Sequence, residues 1–278
     1  MRSFAFSLLF VGYVVQLQAQ ELFPSTEPAS AMSAKSIGLR VNNELFHKYD
    51  DQPGEKPVQN GAMFRLDPEI MWGINKKWMA HINFYAGNTH QPAFRFEGSG
   101  LYLKYRFFSS DQVQSHFRVA LYGRASLVKN PVQYTEINLA GDNSGVGTGI
   151  IATELLHKVA LSFTGGYLKC LDNLQEKLLP GQATEQLNYS LSAGYLLFPI
   201  RYISYNQPNL NVYVELLGRS DLSGGGYYLD IAPALQLILN SLIRVDLVYQ
   251  KQVSGDMLRC NDQMVALRLE YNFLNAYK

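Results

Sequence analysis

The stretch Met264–Phe273, MVALRLEYNF, puts Val265, Leu267, Leu269, Tyr271 and Phe273 at every second position, with Arg268, Glu270 and Asn272 between them. A β-strand sends successive side chains to opposite faces, so this spacing sorts apolar from charged residues. On a 3.6-residue helix the same residues would be spread round the axis with no apolar stripe. The stretch therefore predicts a strand with one apolar and one polar face.

The pattern recurs along the chain. Ile37, Leu39 and Val41 alternate with Arg40, Asn42 and Glu44; Phe64, Leu66, Ile70 and Trp72 with Arg65, Asp67 and Glu69. Trp78–Ala86, Leu101–Phe107, Phe117–Arg124, Val159–Thr164, Leu187–Leu197, Leu210–Leu216, Tyr227–Ala232 and Ile243–Gln250 repeat it, and Gly145–Leu155 is a Gly-rich case. About twelve segments of roughly 9–13 residues result, the length a tilted strand needs to cross a bilayer. Connections after the odd-numbered segments are longer and polar (47–61, 88–93, 129–144, 169–184, 220–226, 251–262). Most of the others are tight, with 109–115 and 199–208 as exceptions.

Two architectures alternate in this way. A soluble β-sandwich also places turns every 8–12 residues. Three features favour an all-β, antiparallel, up-and-down transmembrane β-barrel of about 12 strands. The apolar faces are large and aromatic over whole segments. Aromatics gather near segment ends (Trp72, Trp78, Tyr105, Phe107, Tyr195, Tyr271), as an interfacial girdle requires. The aromatic-ended final strand also resembles the signal by which barrel-assembly machinery takes its clients, although Leu274–Lys278 follow it.

The first residues read as an export signal. Arg2 is the positive start, Phe4–Val15 the apolar run, and Leu17–Ala19 the small-residue cleavage site. The division expected is a signal peptide over 1–19, a periplasmic lead over 20–33 and a barrel over 34–278, placed in the outer membrane. Past residue 19 no run of ~18 apolar residues appears, so no helical span is predicted. The net charge of +1 gives no pull toward nucleic acid. Cys170 and Cys260, with 89 residues between them, can pair after export or stay free.

The polar faces supply the candidate lumen lining. Its bases are Arg40, Arg65, Arg95, Lys104, Arg106, Arg118, Arg124, Arg244 and Arg268. Its acids are Glu44, Asp67, Glu69, Glu97, Glu215, Asp230, Asp246 and Glu270. Nine against eight nearly cancel. Closure brings strands ten to twelve beside strands one and two, collecting ten of these charges on one wall. Such residues need water or partners. They form either a paired lining or a translocation path whose charges set selectivity.

Catalytic and metal chemistry find little support. His47, His81, His90, His116 and His157 form no metal-ligand spacing, and no cofactor motif is complete. Gly145, Gly147 and Gly149 lack the helix and acidic residue of a nucleotide fingerprint, and glycine in a curved strand accounts for them. His81 faces inward, where a Ser–His pair is conceivable, but no G-x-S-x-G elbow accompanies it. Pro68 and Pro233 lie inside strands and predict a bulge or a strand end.

The segments ELFPSTEPAS (21–30), GLYLKYRFFS (100–109), GTGIIAT (147–153), SFTGGY (162–167), NYSLSAGYLLFP (188–199) and YNQPNLNVYVE (205–215) resemble a group of Gram-negative outer-membrane β-barrels labelled transporter-like. That group is distantly similar to barrels of the MetA-pathway type, associated with degradation of aromatic compounds. The resemblance implies a barrel in the lipid bilayer that passes a small solute, hydrophobic ones included. It carries no catalytic residue. A structural barrel that anchors a surface complex, and an outer-membrane lipid-modifying enzyme, are the other functions weighed.

Overall fold

The computed structural model describes residues 22–48, 61–178, 181–201 and 207–277. The signal peptide expected over 1–19 lies outside the described residues. Twelve strands follow one another: β1 Ser36–Lys48, β2 Gly61–Gly73, β3 Trp78–Gly87, β4 Arg95–Asp111, β5 Ser115–Val128, β6 Gly145–Leu156, β7 Val159–Cys170, β8 Glu185–Phe198, β9 Asn209–Asp221, β10 Tyr227–Leu239, β11 Ile243–Gly255 and β12 Gln263–Phe273. Each pairs antiparallel with its neighbour, and β12 pairs with β1 to close the barrel. The described residues contain no helix.

Alternation decides which side chain goes where. In β12, Val265, Leu267, Leu269, Tyr271 and Phe273 are 40–45% exposed on the outside, whereas Glu270 on the inside is 4% exposed. The same inversion runs round the barrel. Leu101, Leu191, Val214, Leu235 and Leu247 stand outside; Arg40, Lys104, Glu215 and Asp246 are buried within. An outer surface this apolar and contiguous is unlike that of a soluble monomer. A closed sheet also leaves no strand edge unpaired.

The two ends differ. The start of β1 and the end of β12 lie at one end with the short turns, where Lys35 N donates to the Gly73 carbonyl and Ala276 N to the Lys35 carbonyl. The 109–115 stretch, read as a longer connection, is mostly strand: β4 runs on to Asp111 and leaves only 112–114 between β4 and β5. The 199–208 connection is long, as read. The opposite end carries the longer loops, among them 129–144, 171–184 and 256–262.

Both strand prolines behave as the missing N–H requires. Pro68 keeps its place opposite Val41 of β1, but the β2–β3 pairing skips from Leu66 to Glu69 without a change of register. Pro233 pairs with Val214 of β9, and the β10–β11 pairing skips from Ile231 to Ala234. The ladder is thus interrupted on one side only. Bulges shift register elsewhere, at Tyr85/Ala86, Arg106/Phe108, Leu196/Phe198 and Leu229/Asp230.

The inward glycines have a packing reason beyond curvature. Tyr85 lies over Gly100, Tyr122 over Gly149 and Gly166, and Tyr213 over Gly194. In each case a ring from one strand occupies the space a neighbouring Cβ would fill. The tyrosines therefore lie along the wall.

Candidate functional site

The lumen is occupied at both ends. Residues 22–34 enter it from the short-turn end and lie against its inner wall; the lead expected from sequence is 20–33, of which 20 and 21 lie outside the described residues. Phe23 is buried among Ala160, Tyr213, Ala232, Ala234 and Val248, in an edge-to-face contact with Tyr213. Met32 packs with Met71 and Met79, and Ala29 with Ala120, Tyr122 and Ile151.

Wall residues hold this segment by its polar groups. Glu215 accepts from Ser25 N at 2.6 Å and from the Thr26 hydroxyl at 2.6 Å. The Thr153 hydroxyl accepts from Ala29 N at 2.9 Å, and Arg118 donates to the Ser30 hydroxyl at 2.9 Å. Arg244 Nη2 donates to the Phe23 carbonyl at 3.1 Å. Glu27 sits between two cations, 2.8 Å from Arg40 Nη1 and 3.2 Å from Lys104 Nζ. Lys104 Nζ also donates to the Pro28 carbonyl at 2.7 Å.

Closure assembles a charged wall from β10, β11, β12, β1 and β2. Arg40 Nε meets Glu270 at 3.0 Å, and its Nη1 meets Glu69 at 3.2 Å. Arg244 pairs with Asp246 at 2.7 Å and reaches Glu270 at 3.7 Å. Arg268 donates to Asn42 at 2.8 Å and lies 4.0 Å from Asp246. Glu44 faces inward, half-buried. Asp67 is buried, and its Oδ1 has no hydrogen-bond partner. Arg40, Glu69, Arg244, Asp246 and Glu270 persist at this depth because each is paired or hydrogen-bonded more than once; removing one partner of a buried pair costs about 3–5 kcal/mol.

The long-loop end is closed by 129–144 and 256–262. Asp142 pairs with Arg65 and with His90 Nε2 at 2.9 Å; Arg65 also lies 3.6 Å from Glu97. Burial opposes ionisation of Asp142, but the Arg65 guanidinium and His90 outweigh it and hold the carboxyl well below the usual range. Glu136 binds Arg219 at 3.0 Å, Arg259 at 3.1 Å and the Tyr228 hydroxyl at 2.8 Å. Arg259 also binds Asp230 at 2.7 Å and stacks on the Tyr228 ring at 3.5 Å. Ile137 and Leu139 are buried against Leu168 and Cys170.

Most of the sequence-derived candidates thus fall into three groups. Arg40, Glu69, Arg244, Asp246, Arg268 and Glu270 meet on one wall, with Lys104 joined to Arg40 through Glu27. Arg65 and Asp230 turn toward the loops. Arg106 stands at the short-turn rim beside a bulge and donates to the Lys76 carbonyl, away from the lumen; Arg118 spans from that rim, at Asp111, to Ser30. Arg124 reaches Tyr85. Sequence reasoning missed Phe23, Glu27, Glu136, Asp142, Arg219 and Arg259. The signal available was apolar residues in stretches assigned to solvent, Phe23 in one and Ile137 and Leu139 in the other.

His81 lies 3.4 Å from Glu69 and against the Tyr102 ring, and its Nε2 has no hydrogen-bond partner. Among the described residues no serine is bonded to it. Cys170 and Cys260 are both free and buried in separate clusters. No group of three metal-ligating side chains occurs among the described residues.

What these features define is a closed, twelve-stranded antiparallel barrel, apolar outside, with a charged and occupied interior. Among solved structures the chain is similar to an outer membrane channel from Pseudomonas putida F1, at 11% identity and a TM-score of 0.56, covering 91% of this chain and all of that one. It also aligns with OprD of Pseudomonas aeruginosa (12% identity, TM-score 0.40, 84% of this chain and 66% of that). A third match is OccAB1 of Acinetobacter baumannii (8% identity, TM-score 0.42, 84% and 64%). No family model matches, and no curated protein does.

Proposed function

We propose that the chain spans an outer membrane and acts as a passive channel for a small organic solute, with residues 22–34 and the 129–144 loop as its two closures. The observation that carries this reading is the inversion of the fold: large apolar side chains outside, buried charges inside. Only a solvent order of hydrocarbon outside and water inside rewards that arrangement. The Pseudomonas putida structure to which the chain's fold is similar is described as an outer membrane channel. The aromatic-ended β12 suits recognition by barrel-assembly machinery, and the resemblance to aromatic-degradation barrels suits an apolar or aromatic solute.

Purified full-length barrel in a planar bilayer tests this. Discrete conductance steps are expected, larger or more frequent when residues 22–33 are deleted. A barrel silent in both forms at all voltages overturns the channel reading. It would favour instead a structural barrel that anchors a surface complex, the reading supported by the dense internal ion pairing. A lipid-modifying enzyme has only the His81–Glu69 contact in its favour.

A further inference from the structure

Lys104 is fully buried on the inner face of β4, and both of its hydrogen bonds go to the N-terminal segment, to the Glu27 carboxylate and the Pro28 carbonyl. Among the described residues no wall residue is hydrogen-bonded to it. Beside it, Arg40 of β1 keeps Glu69 and Glu270 whether or not the segment is present, and offers Nη1 to Glu27. Withdrawal of residues 22–34 would therefore leave the ammonium on the vacated wall without either of these partners, next to a guanidinium whose geometry the wall fixes. A carboxylate is the group that best satisfies two adjacent cations.

We infer that Lys104 and Arg40 form a carboxylate-binding site on the solute path, and that Glu27 is its tethered occupant in the closed state. This rests on the channel reading. The ligand class is a small organic monocarboxylate. Its carboxylate would take the place of the Glu27 side chain. Its body would lie beside the apolar cluster of Ala120, Tyr122 and Ile151 that now holds Ala29, Tyr122 standing opposite Lys104 in the β4–β5 pairing. Binding and opening are then one event, because the solute and the segment compete for the same two cations. A ligand can shift such an equilibrium only by its differential affinity for the open state, and direct competition supplies that difference.

Calorimetric titration of the full-length barrel with benzoate tests the site, with benzylamine and benzyl alcohol as controls of similar size. Glu27→Gln removes the competing charge and keeps the side-chain shape. It is expected to bind benzoate at least tenfold more tightly than the unaltered chain, and neither control should bind. Lys104→Gln should abolish the binding and Lys104→Arg restore it. Equal benzoate affinity with and without Glu27→Gln overturns the inference, as does binding of benzylamine equal to that of benzoate. The Glu27→Gln comparison decides even if Lys104→Gln fails to fold. The two readings fail separately. Benzoate binding to a barrel that never conducts would sink the channel and leave the site. Conductance indifferent to benzoate, with no binding, would sink the site and leave the channel.

Discussion

Glu136 Oε2 and Arg259 Nε lie 3.1 Å apart and join the two loops that cover the long-loop end. Glu136 also holds Arg219 of β9 and the Tyr228 hydroxyl of β10, so one carboxylate ties both loops to the wall. Cys260 is buried one residue beyond Arg259, and burial holds its thiol well above the ordinary range, which makes it unreactive while the loops are shut. In a Cys170→Ser background, Glu136→Gln should raise the rate of maleimide labelling at Cys260 by tenfold or more. Breaking a buried pair costs about 3–5 kcal/mol, and a tenfold change in opening needs only about 1.4 kcal/mol. An unchanged rate would show that Glu136 does not hold the loops.

Asp142 fixes the pH range of this closure. Its carboxyl is burdened by burial but held well below the usual range by Arg65 and His90. A group whose folded pKa is depressed adds stability above its unfolded value, about 3.9 for aspartate. That stability is lost as pH falls through the lower folded value. Conductance should therefore stay constant from pH 7 down to about 4 and rise only below that. Asp142→Asn should be open at every pH. Opening of the unaltered barrel between pH 5 and 6 would place the control elsewhere.

Tyr85 and Gly100 give a packing prediction. A Cβ at residue 100 would collide with the Tyr85 hydroxyl. Overpacking of this kind costs roughly 1–3 kcal/mol. Gly100→Ala should lower the temperature at which the barrel loses its folded gel mobility, and adding Tyr85→Phe should recover part of the loss. No recovery would mean that the backbone around Ala125, not the hydroxyl, limits the site.

How far the sequence discloses this molecule depends on the length scale of the signal. Alternation is local, so all twelve strands and the facing of Arg40, Asp246 and Glu270 could be read from it, and closure made them neighbours. At Pro68 and Pro233 the sequence reading expected a bulge or a strand end, whereas the strands run on with a one-sided gap in the ladder, because the other neighbour keeps its register. The two closures could not be read in the same way. Residues 22–34 have no period, and their position is set by contacts far along the chain, such as Ser25 with Glu215 and Ala29 with Thr153. Asp142 likewise finds Arg65 at a distance in sequence that no spacing rule covers. Strand-end positions also misled: Arg106 has inward parity, but the bulge between it and Phe108 turns it to the rim.

Leu267 and Arg268, adjacent in β12, test the orientation of the barrel in its solvent. Leu267 stands outside near the middle of the strand; Arg268 points inward to Asn42 and Asp246. With hydrocarbon outside, Leu267→Arg should cost about 2–4 kcal/mol in urea unfolding from lipid vesicles, as a midplane arginine does. In water the same change would be close to neutral. Arg268→Leu should also destabilise, but for the opposite reason, by stripping a partner from Asn42 and Asp246. Its cost should fall when Asp246 is changed to Asn in the same chain, because the pair is then removed together. A neutral Leu267→Arg would mean that this face does not meet lipid, and the transmembrane assignment would fall with it.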